Sequence, residues 1–92
     1  MKCKLKVSGI FDAIFVKDDN IDDVIRFIEN NGYIAKSYLS NGKSYIIITK
    51  EFTKTAHSSV RVDIDNFVVI SNDDIFVIGI HEFVQLFEKI GE

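Results

Sequence analysis

The sequence predicts an α+β fold: a mainly antiparallel sheet of about 5–7 strands, an amphipathic helix over about 20–31 packed on it, and a short C-terminal helix over about 81–89. Three observations carry this. Apolar and polar residues alternate with period two in several short runs, one stretch switches to a helical period, and an Asn-Gly pair separates two strand-like runs. The 92 residues read as one domain, 1–92, with no repeat, linker or proline.

In "KCKLKV" the lysines at 2, 4 and 6 alternate with Cys3, Leu5 and Val7, a strand with one wet face whose lysines discourage edge pairing. Residues 10–16 continue as a second strand or as the far side of a bulge at Ser8–Gly9. From Ile21 the period changes: Ile21, Val24, Ile25 and Ile28 fall at i, i+3, i+4 and i+7, while Asp22, Asp23, Arg26 and Glu29 take the opposite face. Gly32 supplies the stop. "YIAKSYL" and "SYIIITK" then flank Asn41-Gly42, whose positive φ preference makes a tight hairpin.

Residues 51–58 read as a loop. "SVRVDI" turns Val60, Val62 and Ile64 inward, whereas "FVVI" and "IFVIGI" are apolar on both faces and should be central strands, joined by a turn at Asn72-Asp73-Asp74. "HEFVQLFEKI" sets Phe83, Leu86, Phe87 and Ile90 on one stripe, hence the closing helix.

Composition narrows the function. A single cysteine cannot form an internal disulfide, which fits a reducing cytoplasm. "MKCKLKVSGIF" lacks the unbroken apolar stretch of a signal peptide, and no run approaches the roughly 20 residues that span a bilayer, so a cytoplasmic location without membrane contact is expected. The net charge is −3, and Lys2, Lys4 and Lys6 form the only basic row, which argues against direct nucleic-acid binding.

"KDDNIDDVIRF" (17–27) is the sharpest chemical feature. Counted from Asp18, it meets most of a calcium loop, with Asp18, Asn20, Asp22 and Glu29 at positions 1, 3, 5 and 12. Asp23 stands where the turn needs glycine, and the Ile21–Ile28 stripe requires helix where a loop would still wind round the ion. Helix initiation explains the residues better: Asn20 as N-cap, with Asp22 and Asp23 facing the positive end of the helix dipole. Asp18 and Asp19 are left over as a negative patch.

Cys3, His57 and His81 are the zinc-ligating types present, spaced too widely to pair locally, so a zinc site would have to be assembled by the fold or between subunits. Ser58 and Ser59 beside His57 do not constitute a triad, and the five glycines are isolated, so no phosphate-cradling loop exists. Neither an enzyme nor a cofactor is expected.

"FDAIFVKDDNIDDVIRFIEN" (11–30), followed by "VRVDIDNFVVI" (60–70) and "HEFVQLFEKI" (81–90), resembles a family of small phage and prophage proteins of unknown function. In that family a strand and an N-I-x-x-I-x-x-F helix precede a late V-x-P-G-D-Y-I-I strand entry. This chain carries Ile64-Asp65-Asn66-Phe67 where the family has Pro-Gly-Asp-Tyr. The resemblance implies a mobile-element protein, and small acidic proteins of that origin often occupy a surface of a host protein.

The expected function is therefore inhibition or modulation of a host factor, such as a restriction or CRISPR effector, by direct contact. The expected protein-binding residues are Asp18, Asp19, Asp22, Asp23, Asp73 and Asp74. The alternatives are a zinc protein using Cys3, His57 and His81, and a structural or assembly accessory. Either a monomer or a homodimer is compatible with the sequence.

Overall fold

The computed structural model describes residues 2–5, 10–51, 57–71 and 74–89. Ten elements follow one another: β1 (Lys2–Leu5), β2 (Ile10–Phe15), α1 (Ile21–Glu29), β3 (Ile34–Ser40), β4 (Lys43–Glu51), β5 (His57–Asp63), β6 (Asn66–Ile70), β7 (Ile75–Gly79), α2 (Ile80–Leu86) and β8 (Phe87–Lys89). The fold is α+β and every strand pair is antiparallel. The expected bulge at Ser8–Gly9, most of the 51–58 loop, Asn72 and Asp73 of the turn, and Ile90 lie outside the described residues.

The strands form two sheets rather than the single one expected. One has the order β7-β6-β2-β1-β8, the other β3-β4-β5. The chain passes between them at Ile64-Asp65, where Asp65 adopts φ +69. The Asp65 N–H donates to the Val16 carbonyl at 2.7 Å and the Val16 N–H to the Asn66 carbonyl at 2.9 Å, which fixes the crossing against the end of β2.

The β2, β6 and β7 part of the five-stranded sheet is covered on both faces, as these apolar strands require. On one face Ile14, Val68, Ile70, Ile75 and Val77 pack with Val24 and Ile28 of α1 and with Ala35, Ile46, Ile48 and Val62 of the three-stranded sheet. β5 approaches β6 and β7, and α1 fills the wedge that remains, against β3, β4 and β2. On the other face Ala13, Phe67 and Val69 meet Phe83 of α2 and Phe87. "FVVI" is interior as expected, but β7 is an edge strand, apolar on both sides because both clusters reach it.

α1 matches the expected stripe, with Val24 and Ile28 fully buried and Ile21 and Ile25 partly so. It closes as a Schellman turn: Gly32, at φ +90, donates its N–H to the Glu29 carbonyl at 3.0 Å, and Tyr33 reaches the Ile28 carbonyl at 3.4 Å. Asn41 and Gly42 both have positive φ, the I′ hairpin the sequence predicts. The last helix is shorter than expected. Phe87 is already extended, and residues 87–89 pair with β1, because completing the β1 edge satisfies backbone groups while Phe87 still reaches the aromatic cluster.

Asn20 is not the side-chain cap expected of it. Its Oδ1 accepts the Lys17 N–H at 2.8 Å and its Nδ2 donates to the Phe15 carbonyl at 2.7 Å, so it pins the β2–α1 loop instead. Asn20→Asp should therefore cost about 1–2 kcal/mol in urea denaturation, since a carboxylate cannot donate to Phe15. As a cap, Asp would serve as well as Asn, so unchanged stability would restore the capping role.

Candidate functional site

Asp18, Asp19, Asp22 and Asp23 are exposed and, with Asn20 and Arg26, border a shallow depression of about 340 Å³ at the start of α1. The two cations nearby do not neutralise it. Lys17 lies over the Phe15 ring, 5.9 Å from its centroid, and Arg26 pairs with Asp23. Asp18, Asp19 and Asp22 make no ion pair or side-chain hydrogen bond among the described residues.

The crossing between the sheets adds a residue that the sequence did not point to. Asp65 is exposed and bonded through its backbone to Val16, one residue before the acidic loop begins. The acidic end of the molecule is thus Asp18, Asp19, Asp22 and Asp23 with Asp65. No local pattern could have revealed this, because Asp65 lies 42 positions after Asp23.

Asp74 is elsewhere. It lies beyond the far end of β6, about 15 Å along the strand from Asn66. Its Oδ1 accepts from Lys50 Nζ and from the Ile75 N–H, at 2.9 and 2.8 Å. These bonds and the Lys50 charge hold its carboxyl below the usual carboxylate range. Asp74 is a structural ion pair across the two sheets, and Asp73 lies outside the described residues.

The backbone puts Cys3 in the five-stranded sheet and His57 in the three-stranded one, while His81 is exposed on α2. The side chains of Cys3 and His57 lie outside those described. No three Asp, Glu, His or Cys side chains converge as a metal-ligand set among the described residues, the five aspartates of the acidic end included. A second cleft, of about 370 Å³, has Lys2 and Asp12 as its only charged lining among the described residues, and these pair with each other at 2.9 Å. No described helix is long and apolar enough to cross a membrane.

One sheet face is also distinctive. The register of β3, β4 and β5 lines up Ile34, Lys36 and Tyr38 with Tyr45, Ile47 and Thr49 and with Ser59, Arg61 and Asp63 on the side away from the core. Tyr38 and Tyr45 stack at 5.5 Å, and the Arg61 guanidinium lies 3.9 Å from the Tyr45 ring centroid while its Nε donates to Asp63. Comparison of the chain with protein-family models, with curated proteins and with solved structures finds no match in any of the three.

Proposed function

We propose that this domain is a binding protein rather than a catalyst. More specifically, we propose a phage- or mobile-element-encoded protein that inhibits or modulates a host factor by seating its acidic end on a basic surface. The observation that carries the reading is the set of exposed carboxylates Asp18, Asp19 and Asp22, which have no cation of their own among the described residues and are flanked by Asp23 and Asp65. Carboxylates left without intramolecular partners add little to the fold, yet together they create a local negative potential that attracts and orients a positively charged partner. A restriction or CRISPR effector, whose task requires a basic nucleic-acid groove, is the kind of host factor that fits.

Reversing Asp18, Asp19, Asp22 and Asp23 to lysine should abolish capture of the partner from a host lysate on immobilised protein. Thermal stability should stay within about 1–2 kcal/mol of the parent. Capture by the parent chain should also weaken as salt rises above about 0.15 M, where the screening length falls below about 8 Å. Undiminished capture by the reversed variant would remove the acidic end from the interface.

A further inference from the structure

We infer that β3 is a homodimerisation strand, pairing antiparallel with β3 of a second copy about a two-fold axis at Ser37. β3 is the outer strand of its sheet, bonded to β4 on one side only. Its seven residues pair in unbroken register, with no bulge, glycine or proline and with Lys36 as the single charge. Of the usual devices that discourage edge pairing, a strand of this length carries only one, the lysine at 36. Three of the six exposed large apolar side chains among the described residues lie on it: Ile34, Tyr38 and Leu39, at 44%, 46% and 74% exposure.

The hairpin sets which backbone groups are free. A two-residue I′ turn at Asn41-Gly42 makes Ser40 and Lys43 a hydrogen-bonded pair. Alternation then turns the backbone groups of Lys36 and Tyr38 toward β4, and those of Ala35, Ser37 and Leu39 toward the open edge. A two-fold axis at Ser37 opposes Ser37 with the partner's Ser37, and Ala35 with the partner's Leu39. All three outward residues are used, and three pairs exchange six N–H···O bonds.

The same register is complementary in its side chains. On the outer face Lys36 stands opposite the partner's Tyr38 in a non-hydrogen-bonded pair, where side chains approach most closely. One face of Tyr38 stacks on Tyr45, and the other can take the ammonium. Moving the axis to Lys36 would set two ammonium groups directly opposite each other, which is destabilising. The result is one continuous six-stranded sheet across the dimer, independent of what the acidic end binds.

Sedimentation velocity on the full chain over a concentration series tests this. The parent should reach twice the 10.5 kDa of one chain. Ser37→Pro removes only an outward N–H, so the β3–β4 hairpin is spared. By deleting two symmetric hydrogen bonds it should weaken association by about 100-fold with the circular dichroism spectrum unchanged. Should that variant fail to fold, Ser37→Lys and Ser37→Asp carry the test: each alone should be monomeric through repulsion across the axis, and an equal mixture should regain the doubled mass. A parent that stays at monomer mass throughout overturns the proposal. So does a doubled mass that survives both Ser37→Pro and Ser37→Lys.

Discussion

Replacing Phe83 by alanine is expected to lower stability by about 3–5 kcal/mol, a large share of the roughly 5–15 kcal/mol available to a domain of this kind. Phe83 is the single buried side chain of α2. Its ring stacks on Phe67 at 3.8 Å and on Phe87 at 5.1 Å, and Phe87 in turn meets the edge of Phe11. A seven-residue helix has no stability of its own, so its attachment rests on that anchor. Losing it should also release β8, which follows α2 directly and is held against β1 by three residues. Urea denaturation measures the loss, and amide exchange should rise first in residues 80–89. Val84→Ala, on the exposed side of the same helix, should change stability by less than about 0.5 kcal/mol. Equal costs for the two would mean that α2 is not anchored through Phe83.

The sequence makes the element order legible because each period reports a local environment. Alternation in residues 60–64 tells which side chains are buried, but it is silent on which strand lies alongside. Nothing in "VRVDIDNFVV" announces that β5 and β6 belong to different sheets; that follows from the backbone bonds between Asp65, Asn66 and Val16. "FVQLFEKI" suits a helix as well as a helix ending in a strand, and the unpaired edge of β1 decides between them. Asn20 has the chemistry of a cap and of a loop pin alike, and the nearby Phe15 carbonyl selects the second.

The acidic set shows the same limit. Asp18, Asp19, Asp22 and Asp23 are neighbours in sequence and remain neighbours in space. Asp74 looked equivalent in charge, but Lys50, 24 residues earlier, claims it. Asp65 follows the alternating run that ends at Ile64, and the crossover brings it to the acidic end. Charge can be counted from sequence, whereas neutralisation by a distant partner cannot.

Ile28→Ala should cost about 2–5 kcal/mol, because Ile28 is fully enclosed in the wedge between the sheets and the cavity cannot collapse against two packed sheets at once. Ile21, only partly buried on the same stripe, should cost less when truncated likewise. Ile28 and Phe83 belong to separate clusters on opposite faces of the five-stranded sheet, with no member in common among the described residues. Their losses should therefore add within about 0.5 kcal/mol in the double variant, measured in a stabilising buffer so that the doubly truncated chain still folds. A double variant that loses markedly less than the sum would mean that the sheet couples the two clusters into one core. The two single variants should differ in function as well. Ile28→Ala loosens the helix that presents Asp22 and Asp23 and should weaken partner capture below the unfolding temperature, whereas Phe83→Ala disturbs the far face and should leave capture intact wherever the domain is folded.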